Sequence, residues 1–494
     1  MDERELVNKD IKEVIYRDEK QIDGVLNFSY ERLPYYLKPC FLYMGILFNE
    51  DETIDAGHLY KMWIAQGMIS YENIGDKEDT LMDIAELYLS ELASRSLVQV
   101  EIMYTYDVAN KTRKYDTCEL HDVIRELCLK LGKREDFGVQ SLEYQGGKLS
   151  TLIREASSHM KIQHLAIHLR SEVELEPIVT CGEDTSKHIS LCLQGCELDK
   201  LPSSIRNLVY IDTIDLANTM NVEVPNVLKE MLRLKHIYFP LYGDEIIGNY
   251  RVRLDEGLDG LESLQFLDSR YHELKCMDRE KNLRHFSARI HDKESLSAIM
   301  KAIMKWNKIV FCRVYIEDSC DLTSERMLEK ALKCPNLQGL WTRAKLRKAL
   351  AECESDLRTL KLRFLSLYGS EIEDDPMGIL GNLPYLVYLQ LRCESFVGEE
   401  MTCPSNSFLH LKELELIGLP QLREWGVEAG AMPLLSQLKI EECSCLEMMP
   451  EGLSGISSLQ RLVIKQMPRL RERVSPSGQD FHKVQHIPSI ITED

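Results

Sequence analysis

Leu435-Ser436-Gln437-Leu438-Lys439-Ile440-Glu441-Glu442-Cys443-Ser444-Cys445-Leu446-Glu447-Met448-Met449-Pro450 is the stretch whose reading decides the fold. Its apolar positions run Leu435-x-x-Leu438-x-Ile440, then Cys443, Leu446 and Met449. The apolar-x-apolar centre recurs at Leu365-Ser366-Leu367, Leu389-Gln390-Leu391, Leu414-Glu415-Leu416 and Leu462-Val463-Ile464. First positions of successive centres are 24, 25, 24 and 24 residues apart, and each has a leucine three positions earlier. In a short strand alternate residues point to opposite sides, so the paired apolar positions face inward and the residue between them faces outward. A single unit cannot bury its own apolar side, whereas stacked units bury one another. Amphipathic helices could imitate one such unit, but five at an even step argue against them.

A period near 24 with this spacing is the pattern of leucine-rich repeats. Upstream, first positions fall at Leu340, Val314, Phe286, Leu267, Ile237, Ile214, Leu191 and Leu165. The steps of 30 from Ile237 to Leu267 and 19 from Leu267 to Phe286 mark insertions or a displaced register. Stacked strands leave a concave row of outward residues, here including Asp215, Ala217, Ser366, Val463, Tyr368, Gln390, Arg392, Glu415, Ile417, Lys439, Glu441 and Lys465. The last eight are the candidate protein-binding face, since exposed Tyr and Ile among charges suit a protein partner. A solvated Lys439 predicts that Lys439→Ala changes stability by no more than about 0.5 kcal/mol.

Ahead of the repeats the pattern changes to helices and a hairpin. Leu81, Ile84, Ala85, Tyr88, Leu89 and Leu92 recur at helical spacing, and 96–100 then alternates as a strand. A polar turn over 107–114 leads back into a strand at 115–120, after which Asp122 is placed to cap a helix carrying Val123, Ile124, Leu127, Cys128 and Leu131. Residues 34–136 hold 11 Lys plus Arg against 19 Asp plus Glu, a net of -8, and the whole chain carries -20. Such a surface repels phosphate backbones and anionic lipid, so neither nucleic acid nor a membrane surface is expected as partner. The longest apolar run, 41–48, is too short to cross a bilayer. Fifteen cysteines, without two ligand pairs at zinc spacing, predict reduced thiols and no metal. No constellation of nucleophile and base rises above chance, and no catalytic residue is expected.

Four blocks carry a resemblance: Phe28-Ser29-Tyr30-x-x-Leu33-Pro34-x-x-Leu37-Lys38-x-Cys40-Phe41-Leu42-Tyr43, Leu59-x-x-x-Trp63-Ile64-Ala65-x-Gly67-x-Ile69, Tyr88-Leu89-x-Glu91-Leu92-x-x-Arg95-Ser96-Leu97-Val98-Gln99 and Leu120-His121-Asp122. In order and spacing they resemble the winged-helix domain of plant nucleotide-binding leucine-rich-repeat receptors. Glu424-Trp425, Ala431-Met432-Pro433 and Val484-Gln485-His486-Ile487-Pro488 are similar to the repeats and tail of the coiled-coil class. Leu120 stands where the family has Met, and no G-x-x-x-x-G-K-[ST] phosphate loop is found.

The resemblance implies an α+β winged-helix module followed by an α/β leucine-rich-repeat solenoid, or horseshoe. The expected division is a helical-domain remnant at 1–33, winged helix at 34–136, linker at 137–160, repeats at 161–470 and C-terminal tail at 471–494. It further implies a non-enzymatic cytoplasmic immune receptor part that recognises a pathogen effector or a modified host protein and restrains signalling. In the family, His121 and Asp122 fall in the ADP-sensing motif, so ADP or ATP and a nucleotide-binding domain are implied for the full-length receptor. For this chain alone no cofactor is expected. The alternatives are a truncated decoy or regulator of full-length receptors, and a repeat-bearing adaptor.

Overall fold

The computed structural model describes residues 27–47, 53–65, 68–69, 81–102, 115–135, 137, 139–144, 164–169 and 189–192. It then covers 200–317 with breaks at 202, 208–210, 217–218, 220–221, 241–251, 255–259, 275–276 and 278–281, followed by 331, 334–347, 350 and 361–493. Two compact units emerge, Met1–Leu198 with Tyr210–Asp215, and Asp199–Val209 with Leu216–Asp494.

The first unit contains α1 (Leu37–Leu47), β1 (Ile54–Asp55), α2 (Ala56–Ala65), α3 (Leu81–Ser94), β2 (Gln99–Ile102), β3 (Tyr115–Glu119) and α4 (Asp122–Arg134). β3 pairs antiparallel with both β1 and β2, giving the small sheet of a winged helix. Phe41, Tyr43, Trp63, Tyr88, Leu92 and Leu127 fill its core. α1 and α4 cross closely because Gly45 faces Cys128, where a Cβ would lie 2.2 Å from the cysteine Cβ. The expected boundary at 34 moves upstream, since Tyr30 and Leu33 are buried in this core and the Tyr30 hydroxyl donates to Glu135 at 2.6 Å. The turn expected at 107–114 lies outside the described residues. The expected linker is in part a strand, β4 (Val139–Tyr144), paired in parallel with β5 (His164–Leu169). β6 (Ile189–Cys192) and β7 (Ile211–Asp215) form a further parallel pair.

The second unit is built on a parallel sheet of β8 (His236–Tyr238), β9 (Ser263–Asp268), β10 (His285–Ile290), β11 (Phe311–Ile316), β12 (Gly339–Arg343) and β13 (Phe364–Tyr368). It continues through β14 (Tyr388–Arg392), β15 (Glu413–Ile417), β16 (Gln437–Glu441), β17 (Arg461–Lys465) and β18 (Ser489–Glu493). Each strand pairs with the next in chain order. Leu340, Leu365, Leu389, Leu414, Leu438 and Leu462 share one register row and are buried, as the apolar-x-apolar pattern requires. The register differs from expectation at two strands. Phe286 aligns with Leu264 and with Cys312, not with Leu267 and Val314. The register shifts between Leu264 and Leu267, where Phe266 adopts φ 60°, so the bulge carries Leu267 into the second apolar position. Counted from Leu264, the steps of 30 and 19 become 27 and 22.

Each of the regular strands ends in a left-handed residue: Gly369 (φ 55°), Cys393 (49°), Gly418 (62°), Glu442 (51°) and Gln466 (51°). Their N–H groups donate to Arg392, Ile417, Glu441, Lys465 and Glu493 carbonyls, extending the ladder one step past each strand. Cys443 follows inside the stack, its thiol donating toward the Leu416 and Glu441 carbonyls at 3.6 and 3.4 Å. Burial pushes that thiol up to about 12, which keeps it inert. Gly418→Ala is expected to cost about 1–2 kcal/mol, because a Cβ is disfavoured at positive φ and would lie 3.4 Å from the Cys393 backbone. Urea unfolding measures this, and unchanged stability would show that the turn is not held left-handed in solution.

Behind the main sheet, strands Glu400–Cys403 and Glu424–Val427 pair in parallel and bury Met401, Cys403 and Trp425. The segment expected as a tail from 471 is structured instead. Helices Pro468–Val474 and Phe481–Val484 lead into β18, which pairs with β17. Asp480 and Lys483, both buried, tie this segment to the Met449 backbone.

Candidate functional site

Three rows cross the sheet on the face opposite the buried leucines. The first runs His285, Phe311, Gly339, Phe364 and Tyr388. Gly339 lets the Phe311 and Trp341 rings close over its Cα, where a Cβ would lie 2.3 and 2.6 Å from them. Trp341, Phe364 and Tyr388 are thereby buried in one aromatic cluster against Phe311. Burial, with the Glu415 and Glu413 carboxylates nearby, pushes the Tyr388 phenol well above its usual range.

The second row includes Ser366, Gln390, Glu415, Lys439 and Val463. Ser366 Oγ donates to Gln390 Oε1 at 2.7 Å, and Gln390 Nε2 donates to Glu415 Oε2 at 2.6 Å. The third row holds Tyr368, Arg392, Ile417, Glu441 and Lys465 in consecutive strands. Lys439 bridges the two rows through Glu441 at 2.9 Å, and Lys465 pairs with Glu493 at 2.5 Å. Burial and the Glu442 carboxylate push Glu441 up to about 7, Lys465 draws it down, and Glu493 adds to the rise. The Lys439 ammonium opposes that rise by favouring the charged carboxylate.

The eight candidate residues therefore divide. Tyr368, Arg392 and Glu415 are partly exposed, whereas Gln390, Ile417, Lys439, Glu441 and Lys465 are buried. Asp215 and Ser366 are buried too, Val463 is partly exposed, and Ala217 lies outside the described residues. The expected solvation of Lys439 is thus corrected. Neighbouring strands pack long side chains laterally, so a residue directed away from the core still loses water. Of the other outward residues, only Tyr315 was hidden by a displaced register; Arg289 and Arg343 lie three residues beyond Phe286 and Leu340, which stand where the pattern places them, and the aromatic cluster gives no sign in a pattern of leucines. Counting three residues beyond Phe286, Cys312 and Leu340 places their third-row residues, whereas on β9 the bulge puts Asp268, four beyond Leu264, in that row.

His121 and Asp122 sit at the start of α4. His121, not Asp122, is the N-cap: its φ and ψ of -64° and 142° are extended, and its Nδ1 accepts the Val123 N–H at 3.4 Å. Asp122 occupies the first turn, where a carboxylate complements the helix dipole. Both are exposed. With Nδ1 accepting, the neutral imidazole carries its proton on Nε2, a donor suited to an anion.

The pattern described as a disease resistance protein winged helix domain matches residues 47–128, and the leucine-rich repeat region pattern matches 188–475. The chain belongs to the leucine-rich-repeat disease resistance proteins. Disease resistance RPP8-like protein 3 of Arabidopsis thaliana is 30% identical over 94% of this chain and 54% of its own length. Disease resistance protein RPP8 of the same plant is 29% identical over 94% and 54%. This disease resistance protein chain therefore spans about half the length of the curated relatives it matches. Among solved structures, the Leptospira interrogans LRR protein LIC12759 is similar over 74% of this chain and 98% of its own, with a TM-score of 0.39 and 15% identity. No described helix is long and apolar enough to cross a membrane.

Proposed function

We propose that this chain is the recognition and restraint part of an intracellular plant immune receptor, acting on a pathogen effector or a host protein that the effector alters. The observation that carries the reading is a concave row with partly exposed Tyr368, Arg392 and Glu415 in a chain similar to disease resistance proteins over 94% of its length. Tyr and Arg are the side chains that dominate protein interfaces, so this face suits a protein partner. ADP, held in the family by a nucleotide-binding domain and exchanged for ATP on activation, would supply an anionic phosphate to the restrained state. Here His121 fits one contact to that phosphate, as a helix-start imidazole with Nε2 left to donate; the described residues offer no further phosphate cradle. Asp122 holds the first turn rather than the anion, since two negative groups there would repel.

The test uses a full-length receptor completed with the nucleotide-binding and coiled-coil domains. Exchanging residues 361–493 for those of a relative is expected to transfer which pathogen isolate triggers cell death in leaves. His121→Ala is expected to give cell death without pathogen. A lost polar contact to phosphate, about 1.5–3 kcal/mol, moves the balance of restrained and active states by one to two powers of ten. Unchanged pathogen specificity overturns recognition by these repeats, and a silent His121→Ala receptor at equal protein level overturns the restraint role.

A further inference from the structure

The third row carries a feature that neither the family match nor the repeat pattern supplies. Arg289, Tyr315, Arg343, Tyr368 and Arg392 occupy one register position on five consecutive strands, β10 to β14. Arginine and tyrosine alternate along it, with no Asp or Glu among the five. The row is half-open to solvent: the Arg289 and Arg343 side chains are 36% and 32% exposed, and Tyr315, Tyr368 and Arg392 are partly exposed. The guanidinium groups of Arg343 and Arg392 lie 5.5 and 5.9 Å from the Tyr368 ring centroid, flanking it. Glu317 bridges Arg289 and Arg343 at 2.7 and 3.2 Å and so holds both beside Tyr315.

The spacing selects a ligand. Strands lie about 4.8 Å apart, so successive arginines, two strands apart, present charge every ~9.6 Å. A β-strand laid across them puts same-face side chains at about 6.7 Å and falls out of step. A polyproline II segment returns to the same face every third residue, at about 9.3 Å, which matches. Tyr315 and Tyr368, partly exposed between the arginines, offer aromatic edges to the proline rings of such a segment, and each guanidinium can donate a charge-assisted hydrogen bond to a carboxylate. On a chain of net charge -20, three arginines against the one carboxylate of Glu317 leave a local positive excess that attracts an acidic partner.

We propose that the Arg289–Tyr315–Arg343–Tyr368–Arg392 ladder is a docking strip for an acidic, proline-containing protein segment in polyproline II conformation with Asp or Glu at every third position. The proposal rests on the reading of the concave face as a protein-recognition surface and names the chemistry of the partner.

The test is fluorescence anisotropy on the full chain with labelled peptides made of Glu-Pro-Pro repeats. Saturable binding is expected, lost when Gln replaces Glu and weakened by about tenfold or more when the same number of Glu residues is set at every second position. Arg343→Gln with Arg392→Gln is expected to weaken binding by a further similar factor, and Arg471→Gln, on the C-terminal helix, to leave it unchanged. Arg343→Lys keeps the charge while losing the planar stacking contact, so it reports on the ladder even where the double variant does not fold. Equal binding of both Glu spacings, equal binding of a single-stranded oligothymidine of matched charge, or full binding by both the double variant and Arg343→Lys overturns the proposal. Binding here needs no immune output, so its failure is separate from a failure of the leaf experiment.

Discussion

Leu438→Asp is expected to abolish cooperative folding of the repeat sheet, with a loss of at least about 4 kcal/mol. Leu438 is 1% exposed and lies in register between Leu414 and Leu462, so its replacement puts a carboxylate into a stack of leucines. No cation is available along that row, and the group must either ionise in a dry interior or take up a proton. Lys439→Ala makes the comparison informative. It removes the 2.9 Å partner of buried Glu441 but opens no apolar stack, so about 1–2 kcal/mol is expected, above the surface value the sequence alone predicts. Urea unfolding of both variants gives the answer, and equal losses would mean that the two sides of the strand are not distinguished by burial.

The second large effect is expected at Asp480. Its carboxylate takes two bonds from Arg473 at 2.8 and 3.1 Å, one from the Met449 N–H at 3.0 Å, and pairs with Lys483 at 3.0 Å. Burial alone would raise its pKa, but the Arg473 and Lys483 side chains and the Met449 N–H overcome this and hold it at about 2. Removing one member of a buried ionic cluster costs about 3–5 kcal/mol when the remaining charges stay out of water; here Lys483 keeps Glu451 at 2.9 Å and Arg473 is partly exposed, so the lower end, about 3 kcal/mol, is expected. Asp480→Ala is therefore expected to release helices Pro468–Val474 and Phe481–Val484 together with β18. The pH dependence has a definite sign. A carboxylate with a depressed folded-state pKa contributes fully above its ordinary value near 3.8, and the contribution is lost as pH falls toward 2. Acid unfolding of the parent should steepen in that window, and Asp480→Ala should lack the extra slope. Proteolysis that leaves 468–493 as protected in the variant as in the parent would show that another contact holds the segment.

Where the repeat is regular, the strands from β12 to β17 could be read directly, because a leucine stands at each first position. The stretch around 264 to 312 could not. Cys312 replaces the leucine there, and the Phe266 bulge inserts one residue, so the eye settles on Leu267 and Val314 instead. The winged helix was legible in its helices and strands, yet its upstream edge was not, since Tyr30 gives no local sign that it packs against Phe41. At α4 two adjacent residues could cap the helix, and only the extended backbone of His121 decides between them. The concave face was the hardest part. Whether Gln390 is open or tied depends on Ser366 and Glu415, which lie 24 and 25 residues away. Periodicity locates such residues but says nothing of their lateral partners.

The left-handed residue closing each strand has a consequence for how this surface can change over generations. Gly369 and Cys393 are equivalent points in adjoining repeats, both left-handed and with the same bond to the following strand, the next left-handed residue being Glu371 after one and Glu394 after the other. A deletion of residues 370–393 would join Gly369 to Glu394 and keep a left-handed residue at the end of the strand. Tyr368 would then meet Ile417, and Leu365 would meet Leu414, as their row-mates do now. What disappears is one rung, Arg392, and with it one cationic group of the strip. Inheritance by unequal exchange at these turns thus edits the molecule in whole strands, lengthening or shortening the reading head while leaving the frame that holds it intact.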